Sequence, residues 1–147
     1  MTYAENSKAR FDYEILDTYE AGIKLLGFEV KSVKNGRASI VGSRCLIRGG
    51  EVYIVGMKID PYQAGNTPLG YDPLATRKLL LHKKQIGILE KDGELKGNTI
   101  IPLVVYGEKN LIKVKIALCR GKKTHDKRET LKKRDTDRNI AREYKIR

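Results

Sequence analysis

The stretch Leu111-Ile112-Lys113-Val114-Lys115-Ile116-Ala117-Leu118 constrains this chain more than any other. Ile112, Val114, Ile116 and Leu118 fall at every second position, with Lys113, Lys115 and Ala117 between them. An extended strand therefore buries one set and turns a cationic face outward, which a helix with its 3.6-residue period would not do. Residues 99–106 precede it across Gly107-Glu108-Lys109-Asn110, and the two segments read as a hairpin.

The rest of the pattern extends this β reading. Residues 13–25 place Tyr13, Ile15, Asp17 and Tyr19 on one face of a first strand, with a bulge or bend at Gly22. Residues 39–48 and 51–59 read as two strands joined by Gly49-Gly50, a pair that tolerates the positive φ of a two-residue turn. In the second of them Tyr53, Val55, Met57 and Ile59 alternate with smaller or polar positions. Asn35-Gly36 suits the end of a two-turn helix, and the spacing of Leu79, Leu80, Leu81, Ile86 and Leu89 predicts a helix over about 82–91, stopped by Asp92-Gly93. Pro61, Gly65, Asn66, Pro68, Gly70 and Pro73 make 61–73 a long loop, and a loop of that length is more often functional than filler. Five or six antiparallel strands with one to three short helices fit a mainly β fold, a small OB-like antiparallel barrel.

A chain of 147 residues suffices for one core. The segment 120–147 carries 12 basic and 5 acidic residues, which is +7 of the net charge of +12. It has few apolar residues, so the reading is a barrel with an N-terminal arm over 1–121 and a basic tail over 122–147, disordered alone. Arg134, Arg138 and Arg142 stand at i, i+4 and i+8, one face of a helix that phosphates would stabilise. Such charge predicts a polyanionic partner, nucleic acid ahead of an anionic membrane surface. No apolar run reaches the roughly 18 residues of a spanning helix, and a cytoplasmic location is expected. Cys45 and Cys119, with His82 and His125, have no metal-ligand spacing, so buried thiols, no metal and no cofactor are expected. An RNase would need clustered carboxylates or a His-carboxylate pair, and no catalytic residues are identified.

Candidate RNA contacts follow from residue type. Asn6, Lys8 and Arg10 put an amide and two cations before the first strand, where a flexible arm could follow a phosphate backbone. Tyr62, Asn66 and Tyr71 offer rings and an amide for unpaired bases, or pack against the barrel. Lys113 lies on the cationic strand face. Glu29, Lys31 and Arg37 belong to that surface or solubilise a helix, and Leu80 is a base contact or a core residue.

Four segments resemble the SsrA-binding protein family in order and spacing. They are Asn6-Ser7-Lys8-Ala9-Arg10-Phe11-Asp12-Tyr13; Glu20-Ala21-Gly22-Ile23 running into Gly27-Phe28-Glu29-Val30-Lys31-Ser32; Asp72-Pro73 with Arg77-Lys78-Leu79-Leu80-Leu81-His82; and Gly121-Lys122-Lys123-Thr124-His125-Asp126-Lys127-Arg128 continuing to Arg134-Asp135. Ser7 and Ala75 stand where the family commonly has basic residues. The resemblance implies an OB-like barrel, a monomer binding one RNA, that grips the tRNA-like domain of transfer-messenger RNA and brings it to stalled ribosomes. It implies that Glu20 is the acidic residue at the RNA surface, Arg77 and Lys78 a basic pair beside it, and Gly121, Lys122 and Lys123 the exit from the barrel toward RNA. It also implies a tail, with His125, Asp126, Lys127, Arg128, Arg134, Arg138 and Arg142, that is helical in the empty messenger channel, His125 stacking in the decoding centre. A general OB-fold RNA-binding or ribosome-associated protein is the alternative.

Overall fold

The structure is a computed structural model that describes residues 1–61 and 68–121. In chain order it contains β1 (Thr2–Glu5), α1 (Ser7–Asp12), β2 (Tyr13–Ile23), α2 (Gly27–Lys34), β3 (Ala38–Ser39), β4 (Arg44–Arg48), β5 (Glu51–Val55), β6 (Lys58–Ile59), β7 (Arg77–Leu80), α3 (Lys83–Gly93), β8 (Asn98–Glu108) and β9 (Leu111–Gly121). Strands run β8-β4-β5-β7-β2-β9, every pairing antiparallel, and β9 returns to β8 to close the barrel. β1 extends the β8 edge beyond β4, and β3 with β6 forms a separate two-stranded sheet.

The alternation in β9 is realised: Ile112, Val114, Ile116 and Leu118 point into the core with Ala21, Val52, Ile54, Leu79 and Val105. At about 1.5–3 kcal/mol for each large side chain removed from water, this interior is the main stabilising term. Ile86 and Leu89 of α3 and Val33 of α2 join the same cluster. The opposite face of β9 is cationic only for its first half. Beyond Lys115, Ala117 and Cys119 are covered by Ala9 of α1, with Ile101 and Leu103, in a second small core.

Two bulges bend the strands that flank β9. In β2, Ile15 pairs with Cys119 but Asp17 pairs with Leu118, so Leu16 is the extra residue. This corrects the expected single face: Tyr13 and Ile15 lie against the second core, whereas Tyr19 and Ala21 turn to the first. Gly22 is not the bulge; it is where β2 meets both β7 and β9. In β8 the register slips between Pro102 and Val104, a position where proline's missing N–H costs no ladder bond.

The expected strands 39–48 and 51–59 are each broken. Gly42 and Gly56 take φ of +79° and +86°, and β3–β6 is offset from the β4–β5 hairpin at these points. The alternation therefore changes phase, with Val52 and Ile54 inward before Gly56 and Met57 and Ile59 buried after it. The hairpin turns at Gly49-Gly50 and Lys109-Asn110 have positive φ at both residues, the geometry that matches strand twist. The N-terminal arm is a strand and a short helix, since β1 pairs with β8 over Thr2–Glu5. Arg77–Leu80, expected as the approach to a helix, is the strand β7 between β5 and β2. The helix over 82–91 is present as α3, and Asn35-Gly36 ends α2.

Candidate nucleic-acid interface

Register brings several of the expected contacts into one outward-facing row. Gly22 pairs with Leu80 on one side and Lys113 on the other; Lys113 pairs with Tyr106, and Tyr106 with Thr2. At about 4.8 Å per strand, Leu80 and Tyr106 stand about 14 Å apart across this row. Leu80 is 52% exposed, which makes it a surface residue and not a core one. A Cβ on Gly22 would sit 3.3 Å from the Leu80 Cβ, so glycine leaves the sheet bare between the leucine and the lysine. In the next row Glu20 faces Lys115. Lys115 completes the group; the alternation that selected Lys113 selects it equally.

The charges here are held loosely. Lys78 is 3.3 Å from Glu51 and Lys113 is 3.6 Å from Glu108, all four side chains partly exposed. Such surface pairs contribute about 0–1 kcal/mol, so a phosphate can replace either carboxylate at little cost. Burial, followed by the neighbouring Glu20 carboxylate, pushes the Tyr106 phenol up to about 12, and it stays a neutral donor at physiological pH. Its buried hydroxyl lacks a hydrogen bond of good geometry. Cations, a carboxylate acceptor and an exposed leucine are a mixture suited to a structured RNA surface, where 2′-hydroxyls and unpaired bases lie beside phosphates.

Arg77 is corrected by the structure. Only 4% exposed, it gives Nε and Nη2 to Glu29 Oε2 at 2.8 and 2.6 Å, Nη1 to the Met57 carbonyl at 2.7 Å, and Nη2 to the Pro73 carbonyl and Tyr71 hydroxyl at 3.1 Å each. At that burial the guanidinium is turned to interior acceptors and is not presented to a phosphate. The single Tyr71 O–H has Glu29 Oε2 at 2.9 Å and the Ile59 carbonyl at 3.0 Å as acceptors within reach, and its ring meets Phe28 edge-on. Burial and then Glu29 push its phenol up to about 12. Glu29, buried, also accepts the Leu26 N–H at the start of α2. The Arg77–Glu29–Tyr71 network anchors the downstream end of the long loop to α2.

Asn6 is corrected as well. It is 6% exposed; its backbone N–H donates to the Leu103 carbonyl at 2.8 Å and its Nδ2 to the Pro102 carbonyl at 3.3 Å. Those carbonyls belong to the β8 bulge, where ladder partners are displaced. Lys8 and Arg10 remain exposed on α1, over the far half of β9 and separate from the Leu80–Lys113 row. Lys31 is exposed on α2, and Gly121 ends β9 opposite Tyr13. Tyr62, Asn66, Lys122, Lys123, His125, Asp126, Lys127, Arg128, Arg134, Arg138 and Arg142 lie outside the described residues. Among the described residues no group of three His, Cys, Asp or Glu side chains could hold a metal ion, and no helix is long and apolar enough to cross a membrane. Both thiols are buried.

Comparison with known proteins places this geometry. Residues 3–146 match the family model described as SmpB protein. An SsrA-binding protein of Mesoplasma florum is 51% identical over 142 residues, covering 97% of this chain and 95% of the relative. One from Gloeothece citriformis is 49% identical, covering 96% and 91%. A solved structure described as "tmRNA-SmpB: a journey to the center of the bacterial ribosome" superposes with a TM-score of 0.68 at 44% identity, covering 86% of this chain and 92% of its own. With a match across almost its whole length, and with the barrel and cationic row in place, the chain belongs to the SmpB protein family.

Proposed function

We propose that this chain binds the tRNA-like domain of transfer-messenger RNA and delivers it to stalled ribosomes for rescue and peptide tagging. The observation that carries the reading is the row Leu80–Gly22–Lys113–Tyr106, with Glu20 and Lys115 beside it, on the outside of a closed barrel. The relatives' name, SsrA-binding protein, and a solved neighbour of tmRNA with SmpB at the bacterial ribosome support it. In this reading the protein works in the cytoplasm as a non-enzymatic adaptor, one chain per RNA. The barrel over 1–121 holds the RNA, and the tail over 122–147 acts at the ribosome, becoming helical in the empty messenger channel. Lys78, Lys113 and Lys115 supply phosphate contacts while Glu20 and Leu80 supply fit.

The test is a competition between a transcript of the tRNA-like domain and an unstructured RNA of the same length, together with sequencing of RNA that co-purifies with the chain. Preference for the tRNA-like fold and recovery of transfer-messenger RNA are expected. Equal affinity for the two transcripts would leave only a general RNA-binding barrel.

A further inference from the structure

A second feature of the outer barrel surface lies outside the row just described. Tyr53 of β5 points outward, and its cross-strand partners on that face are Leu46 of β4 and Lys78 of β7. On one side of it is a cleft of about 470 Å³ bounded by Leu46, Arg48, Val55 and Thr76. On the other is a cleft of about 390 Å³ that reaches Lys24 and Ala75. Tyr53 and Thr76 line both, so the phenol ring is a wall the two clefts share.

The surrounding charge specifies what such a ring would meet. The outward positions of β4, β5 and β7 carry Arg44, Arg48 and Lys78 against the carboxylate of Glu51, which is already tied to Lys78. Lys24, whose N–H bonds the Lys78 carbonyl, adds an exposed cation at the edge. Glu29 also lines the second cleft, but its charge is spent on Arg77. A flat ring between two slots, rimmed by cations, suits a nucleobase on the ring face with its flanking phosphates on the rim. The surface is also continuous with the first row, because Lys78 and Leu80 are alternate residues of one strand.

We infer that Tyr53 is a stacking platform for an unpaired nucleotide of the same RNA that Lys113 and Leu80 contact, with Arg48 and Lys24 pairing the adjoining phosphates. This rests on the function proposed above and names a part of the surface which that reading did not include.

The experiment measures affinity of the full chain for the tRNA-like transcript at fixed salt, for the parent, Tyr53→Ala and Tyr53→Phe. Stacking needs the ring and not the hydroxyl, so Tyr53→Ala weakens binding about tenfold while Tyr53→Phe stays within about twofold. Parent-like binding by Tyr53→Ala overturns the platform. Ultraviolet crosslinking of the parent chain to the transcript, mapped by mass spectrometry, decides the matter if Tyr53→Ala does not fold: a nucleotide adduct on Tyr53 supports the inference, and adducts confined to other residues overturn it. Failure of the proposed function looks different. In that case the parent chain itself does not prefer the tRNA-like transcript to an unstructured one.

Discussion

Arg77 and Glu29, 48 residues apart, meet as a buried ion pair in which Nε and Nη2 converge on one carboxylate oxygen. The pair ties β7 to α2, and through Tyr71 and the Pro73 carbonyl it also fixes the segment that closes the long loop. A cation that reads as an RNA contact in sequence is thus held inside the fold.

Arg77→Ala would leave the Glu29 charge buried without its partner, a change that costs about 3–5 kcal/mol. Lys78→Ala, one residue on, breaks only an exposed pair worth about 0–1 kcal/mol. Urea denaturation should separate the two variants widely, whereas RNA titrations across salt should show a shallower slope for Lys78→Ala alone. A stable Arg77→Ala chain with a reduced slope would return Arg77 to the RNA surface.

Lys113→Gln and Lys115→Gln together should lower the salt dependence of RNA binding by about one to two in the log–log slope, each lost phosphate contact contributing somewhat less than one. Glu20→Ala should act differently, since a carboxylate supplies fit and no attraction: it should reduce preference for the tRNA-like transcript while leaving affinity for unstructured RNA near that of the parent. Uniform weakening for both RNAs would count against the role given to Glu20.

Alkaline stability follows from the raised phenols. Tyr71 and Tyr106 lie near 12 in the fold against an ordinary value of 10.0, so from pH 10 upward the unfolded chain loses these protons first. Stability is therefore fully present below pH 10 and falls between about 10 and 12. Denaturant midpoints measured across that range should decline, and Tyr71→Phe should flatten the decline. An unchanged slope in Tyr71→Phe would show that its phenol does not carry it.

Burial pushes both the Cys45 and the Cys119 thiols up, Cys119 to about 11. A thiol reagent at pH 8 should react slowly with the folded protein and fully after unfolding, because thiolate is the reactive form. Replacing both by Ala should leave RNA binding within about twofold, since neither reaches the outward row. Fast labelling of folded protein would contradict the burial.

Truncation after Lys123 should keep the barrel folded and bound to the tRNA-like domain, with a partial loss of affinity from the missing charge. Tagging on stalled ribosomes should disappear. Changing Lys127, Arg128, Arg134 and Arg138 together to Ala removes charge while favouring helix, so the same loss of tagging would assign the effect to charge. Normal tagging by the four-Ala chain, or lost RNA binding on truncation, would break the division between barrel and tail.

Features that repeat at short range are legible from the chain alone. Alternation in 111–118 fixed the inward face of β9, Asn35-Gly36 and Asp92-Gly93 marked helix ends, and Gly49-Gly50 marked a hairpin, because side-chain period and φ preference are properties of neighbours. The bulge at Leu16, the phase change at Gly56 and the strand at Arg77–Leu80 depended on partners distant in the chain, and only the closed barrel decided them. The same holds at the interface. Lys113 was legible from its own strand, but Arg77 and Asn6 show polar side chains whose buried partners, Glu29 and the Pro102 carbonyl at the β8 bulge, lie 48 and 96 residues away. Whether a polar group faces solvent or repays its own desolvation inside is set by what packs against it, and that is a property of the tertiary structure alone.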